Sequence, residues 1–229
     1  MQKQLSTRFK NRILSKLSAD NLALLKPNLE PVELPLRRVL ETPDQPITHS
    51  YFIEYGLASI IASNKNKKLE VGLIGCEGVT GLPIILGNDR SPNETFMQVA
   101  GHGVRVPAQK LREAIAQSRS LELGLLAFAH SFLNQTANTA LSNGTATLEE
   151  RLARWLLMAS DRLRGDEVPL THEFLSLMLG VRRAGVTVAL NYLEHRGVIR
   201  LSRKQIVIMD RKGLEATANG CYHKPEKQA

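Results

Sequence analysis

Apolar positions recur at different periods along this 229-residue chain, and the changes of period divide it. Near the start, Asn11–Leu17 and Asn21–Lys26 read as short helices, the second capped by Ser18-Ala19-Asp20. Between Pro31 and Pro107, short runs rich in β-branched or aromatic residues alternate with turn formers. The runs are Tyr51-Phe52-Ile53, Leu57–Ala62, Leu69–Ile74, Thr95–Ala100 and Val104-Arg105-Val106, and clusters such as Asn64–Lys68 and Gly87–Asn93 separate them. This spacing predicts an antiparallel sandwich or barrel.

After Pro107 the period becomes helical. Ala108–Gln117 is predicted as a short helix, and a long one opens at Ser120 and runs to about Asn143. No Asp, Glu, Lys or Arg occurs from Leu123 to Leu148. Leu121, Leu125, Phe128 and Phe132 recur at alternating four- and three-residue steps, while Leu126, Leu133, Ala137 and Leu141 cover another face. Two apolar faces imply burial on two sides, one against the sheet and the other against a second subunit. Leu121, Leu125, Phe128 and Phe132 are assigned to that dimer interface; the competing reading is a core helix of a monomer. His130, Asn134, Gln135, Asn138 and Asn143 argue against a membrane span. Leu148–Leu163 is a further amphipathic helix, with Glu149 and Glu150 at its start, Arg162 and Arg164 near its end and Gly165 as its stop.

Leu170–Ile199 has the pattern of a helix-turn-helix. Thr171 can cap a helix Glu173–Leu179 that Gly180 ends, and a second helix runs from about Arg183 to His195. Leu175, Leu179, Val181, Val186, Leu190 and Leu193 have the spacing that locks two short helices across a tight turn. The start of the second helix carries Arg182, Arg183, Gly185 and Thr187: small residues for close approach and arginines for guanine or phosphate. Gly197 then ends the helix, and Val198–Leu201 and Gln205–Met209 read as strands about the turn Ser202-Arg203-Lys204. This is a hairpin wing whose basic tip suits a phosphate backbone.

The charge distribution fits that assignment. The chain has 30 Lys and Arg against 22 Asp and Glu, a net charge of +8. Met1–Leu40 holds eight basic and three acidic residues, Glu41–Leu148 eight and nine, and His172–Lys212 eight and three. The positive excess at the C-terminal end faces either solvent or a polyanion. Two cysteines, Cys76 and Cys221, exclude a disulfide scaffold, a Cys-rich zinc module and a four-cysteine cluster within one chain. The polar stretch Met1–Lys10 does not resemble a secretory signal, and a cytoplasmic location is expected. The six histidines have no metal-ligand spacing, and no Ser/His/Asp order, carboxylate pair or Walker loop suggests an enzyme.

The segments "LEERLARWLL", "LTHEFLSLMLGVRRAGVTVALNYLEHRGVI" and "IVIMDRKGLE" resemble the winged helix-turn-helix of the Crp/Fnr family of bacterial transcription regulators. The order of parts is similar over nearly the whole chain. The resemblance implies an α+β fold: a cyclic-nucleotide-binding-like β-roll (an antiparallel jelly roll), a long dimerisation helix and a C-terminal winged helix-turn-helix. The expected limits are 1–118 for the sensor, 119–146 for the dimer helix, 147–222 for the DNA module and 223–229 for a tail. It also implies a homodimer on a palindromic operator in double-stranded DNA, with RNA polymerase as a further partner. Arg183 matches the family arginine that reads guanine, and Thr171 a threonine that contacts phosphate. Arg182 stands where the family usually has Ser and is expected on phosphate. Ala184 replaces a base-reading Glu and Val188 a long polar reader, so Ala184 or Thr187 is expected to touch a thymine methyl instead. Arg203 and Lys204 complete the DNA set.

A cyclic-nucleotide pocket uses a Gly-rich turn, a ribose-binding Glu and an Arg-Ser or Arg-Thr pair. The candidates here are Gly75, Glu77, Gly78 and Gly81 in Gly75–Gly81, with Arg90 and Ser91. The usual Gly-Glu order is replaced by Glu77-Gly78, and Pro92 places Arg90-Ser91 in a loop. Cyclic AMP is therefore not expected as the effector, no cofactor is identified, and either an empty β-roll or another ligand is left open. Cys76 in that turn reads as a packing residue before a redox sensor. A cyclic-nucleotide-activated regulator and a protein-interaction module without DNA are the alternatives.

Overall fold

The structure, a computed structural model, describes residues 9–65, 67–203 and 205–223. The chain divides into two compact units. One runs to Ala62 and resumes over Ile74–Gln135; the other comprises Ser63–Leu73 and everything from Thr136 onward.

The first unit opens with helices α1 (Arg12–Lys16) and α2 (Ala19–Leu25), capped by Asn11 and Ser18. Asn11 is fully buried and does more than cap: its amide donates to Ile53 O at 2.9 Å and Gly78 O at 2.8 Å. Strands β1 (Glu30–Leu34), β2 (Val39–Glu41), β3 (His49–Asn64) and β5 (Glu94–Pro107) form the sheet of this unit, β1 and β3 flanking β5 with β2 also on β5, while β4 (Lys67–Ile74) belongs almost wholly to the second unit. β1, β2 and β3 each run antiparallel to β5. A short helix α3 (Leu82–Ile85) lies between β4 and β5.

Two expected strand pairs are single strands. Tyr51–Ile53 and Leu57–Ala62 both lie in β3, and Thr95–Ala100 and Val104–Val106 both lie in β5. The intervening residues bend the strands without ending them, and the register shifts at three places between Ile53 and Ala58. Glycine makes this bend accessible. Gly56 has φ +104°, and a Cβ on Gly101 would stand 1.9 Å from Tyr55 O. Strand β1, unforeseen in sequence, contains Pro31 and occupies a sheet edge, where a missing N–H costs no ladder bond.

Helices α4 (Ala108–Gln117) and α5 (Arg119–Thr145) follow the predicted pattern, α5 extending to Thr145. The face assigned to a partner subunit is corrected: Leu121, Leu125, Phe128 and Phe132 are buried within the protomer. Phe128 packs on the Gly-rich turn, where a Cβ at Gly78 would lie 2.3 Å from Phe128 Cζ. The exposed large apolar side chains of α5 are Leu123, Leu133 and Leu141, the last two from the second apolar face.

In the second unit, α6 (Leu148–Leu163) starts with a reciprocal capping box. Thr147 N donates to Glu150 Oε2 at 2.8 Å and Glu150 N donates to Thr147 Oγ1 at 3.3 Å. Arg164, at φ 56°, is its left-handed terminus in place of the expected Gly165. Arg162 is buried and donates to Met158 O, so it is no solvated dipole partner. Strand β6 (Glu167–Val168), helices α7 (His172–Leu179) and α8 (Arg183–His195), strands β7 (Ile199–Ser202) and β8 (Gln205–Ile208) and helix α9 (Arg211–Thr217) complete the chain. The small sheet has the order β6-β8-β7. Arg211 anchors the C-terminal segment, donating to Asp161 Oδ1 at 2.6 Å and Tyr222 OH at 2.8 Å.

Candidate nucleic-acid interface

The helix-turn-helix forms because each of its joints has the required residue. Thr171 Oγ1 accepts Phe174 N–H at the start of α7, and Gly180 ends that helix at φ 65°. Ser176 then closes the turn, accepting Val181 N–H at its carbonyl (3.1 Å) and donating from Oγ to Val181 O (2.5 Å). Arg182, extended at φ −69° and ψ 146°, is the N-cap of α8. Leu175, Leu179, Val186, Ala189, Leu190 and Leu193 are buried, and Leu152, Trp155 and Leu156 of α6 are buried with them. Val181, expected in that lock, is half-buried. Gly185 is half-buried too, and a Cβ there would meet only Leu148 Cδ2 of α6, at 3.4 Å, an ordinary contact distance.

The opposite side of α8 faces solvent. Arg182, Arg183 and Ala184 are exposed at a helix start that no side chain caps among the described residues. Val188, Asn191, Tyr192 and His195 continue the exposed face. Unbonded amides at a helix start carry partial positive charge, and two arginines add to it. Thr187 is half-buried; its hydroxyl donates to Arg183 O at 3.2 Å and meets His172 Nδ1 at 3.2 Å. Arg196 lies 5.8 Å from the Tyr192 ring centroid and donates to its hydroxyl.

The wing is fixed to this helix. Glu194 Oε1 of α8 accepts Leu201 N–H of β7 at 2.7 Å. The pairing Ser202↔Gln205 closes β7 and β8 into a tight hairpin, and Arg203 at its tip is exposed. Lys204, the other basic residue predicted at the tip, lies outside the described residues. Arg200 is exposed on β7.

Buried polar groups support the helix-turn-helix from beneath, and the apolar pattern did not single them out. Trp155 Nε1 donates to the buried Glu70 carboxylate at 2.6 Å. Arg154 is buried; it donates to Thr139 Oγ1 and Cys221 O at 3.0 Å each, and burial pushes its pKa down to about 10. Arg151 donates to Leu179 O, at the end of α7.

These features match known proteins. A family model described as a Crp-like helix-turn-helix domain matches residues 150–217. No curated protein sequence matches the chain significantly. Among solved structures, FixK2 from Bradyrhizobium japonicum is 18% identical and superposes with a TM-score of 0.72, over 82% of this chain and 96% of that one. TTHB099, a CRP-family transcriptional regulator from Thermus thermophilus, is 14% identical at a TM-score of 0.69, over 84% and 98%. The c-di-GMP-responsive global regulator CLP of Xanthomonas campestris is 17% identical at 0.67, over 83% and 99%. At such identities the likeness establishes the fold. The chain shares the fold of these structures, and the segment similar to the Crp-like domain lies at its C-terminal end.

The predicted nucleotide-pocket residues lie in the first unit, and each contacts other groups of the chain. Glu77 Oε2 folds back to accept Gly75 N–H at 3.1 Å. Gly78 lies under Phe128. Gly81 N–H donates to Glu41 Oε1 at 2.7 Å, a buried carboxylate from β2. Arg90 is exposed, donating to Asp44 O at 2.7 Å and pairing with Asp89 at 3.7 Å. Ser91 Oγ accepts Asn93 N–H at 3.1 Å. Burial raises the Glu41 pKa above the ordinary carboxylate range, against the lowering effect of Gly81 and of the Thr95 and Thr80 hydroxyls. Cys76 is buried. Among the described residues no group of three or more His, Cys, Asp or Glu is placed to hold a metal, and no helix is long and apolar enough to cross a membrane.

Proposed function

We propose that this Crp/Fnr-type protein is a homodimeric transcription regulator that binds an inverted-repeat operator, each protomer placing α8 in the major groove. The carrying observation is the uncapped start of α8, with Arg182, Arg183 and Ala184 all exposed. In this reading Arg183 reaches a guanine edge, while Thr171, Arg182, Arg203 and Lys204 hold phosphates. The dimer forms through the exposed face of α5, where Leu123, Ala127, His130 and Leu133 follow a four-three-three spacing and Leu141 continues the face. Selection of bound sequences from a random DNA pool tests the assignment. Recovery of an inverted repeat with half-site centres about 34 Å apart supports it. Absent or salt-insensitive binding refutes it.

The sensor unit does not respond to cyclic AMP in this reading. Glu41 Oε1 already accepts the Gly81 N–H, so a phosphate entering there finds that donor occupied. Arg90 is tied to the loop at Asp44 and Asp89. Titration calorimetry decides the point: no saturable heat with cyclic AMP is expected, and saturation at micromolar concentration would overturn it.

A further inference from the structure

We propose that Ala184, Thr187 and Val188 form a methyl-reading patch that selects thymine over cytosine at two positions of each half-site. The inference rests on the DNA-binding assignment above and gives it a chemical preference that Arg183 alone does not supply.

Val188 carries the argument. It is 65% exposed, the most exposed large apolar side chain among the described residues. The core does not need it, because Val186, Ala189 and Leu190 beside it already fill the buried face of α8. An isopropyl group standing in water on a short helix gains free energy only when a partner covers it. Ala184 lies one turn earlier on the same exposed side, four residues away, and presents a bare methyl. Thr187 is the third member. Its hydroxyl proton is directed to Arg183 O, and the oxygen meets His172 Nδ1. With its polar group used inside the protein, Thr187 has its methyl left to offer a base.

The flanking charge identifies the occupant. Arg182 and Arg183 are exposed at the start of the same helix. An apolar protein partner would have to bury both guanidinium groups beside the methyls, whereas a DNA groove supplies acceptors for them. In the major groove the apolar group is the thymine C5-methyl. Cytosine instead presents its N4–H₂ donor, and Ala184, Thr187 and Val188 leave that donor without an acceptor. Ala184 and Val188 are about 6 Å apart along the helix axis, and successive bases rise ~3.4 Å, so the patch covers roughly two base steps.

The test uses the full-length protein and the operator recovered by selection. Each thymine of a half-site is replaced by deoxyuridine, which removes the C5-methyl and preserves pairing. Two replacements per half-site are expected to weaken binding about fourfold each, the value of one buried methyl group. In Val188→Ala the penalty at one of these positions should largely disappear; in the wild type, where cytosine replaces that thymine, 5-methylcytosine should regain part of the lost affinity. Because Val188 is exposed, the variant should unfold at the wild-type temperature. Selective binding that ignores uridine, or a uridine penalty that is equal in wild type and Val188→Ala, overturns the methyl patch and leaves the DNA-binding assignment standing. Failure to select any sequence overturns both.

Discussion

Glu41 Oε1, at the end of β2, accepts the backbone N–H of Gly81, the N-cap of α3, at 2.7 Å. A carboxylate of the chain thus takes the amide that a bound anion would use, and it does so while buried. Burial makes the folded state hold the Glu41 proton more tightly than the unfolded chain does. The stability this confers is complete below the ordinary carboxylate pKa and is lost as pH rises through the raised folded value. Thermal unfolding of the wild type should therefore show a decline over that window. Glu41→Gln, which keeps an oxygen for Gly81, should flatten it. Identical pH slopes for the two proteins would contradict the role given to Glu41.

Phe128 and Leu133 lie on the same helix and should fail differently. Phe128→Ala removes a buried ring from the Gly78 turn and should cost about 3–5 kcal/mol of fold stability. Leu133 is 57% exposed, so Leu133→Glu should leave the protomer folded and shift sedimentation toward monomer. A stable monomer from Phe128→Ala, or an unaltered dimer from Leu133→Glu, would reverse the assignment of the two faces.

Trp155 is the one tryptophan of the chain, and its indole N–H meets a buried carboxylate. Glu70→Ala should leave that donor unpaired and destabilise the second unit by about 1–3 kcal/mol. Trp155 emission reports the change directly. An unshifted spectrum together with an unchanged denaturation midpoint would show that the contact contributes nothing.

Arg183→Ala and Arg203→Ala separate base reading from phosphate binding. The first should erase discrimination at one symmetric base position per half-site, a loss of ~1–3 kcal/mol against the wrong base. The second, at the wing tip, should weaken all sequences alike and lower the salt slope by about 0.9 for each phosphate that the side chain no longer neutralises. Uniform weakening by Arg183→Ala would make Arg182 or Thr187 the better candidate for base reading.

Local chemistry alone determined much of the helical half. Thr171, Gly180, Arg183 and Gly197 mark ends and turns through propensities that operate within four residues, so α7, α8 and the start of the wing were legible. The continuity of β3 and β5 was not, because a bulged strand and a strand break share the same glycines, and only cross-strand pairing separates them. The two apolar faces of α5 were legible as a pair, but their roles were not. Period fixes which residues share a face, whereas the Gly78 turn, about 50 residues distant in sequence, decides which face is buried. The same holds for Glu41 and Glu70, which no local pattern singles out. Their partners Gly81 and Trp155 are 40 and 85 residues away, and only the tertiary fold brings donor and carboxylate together out of water.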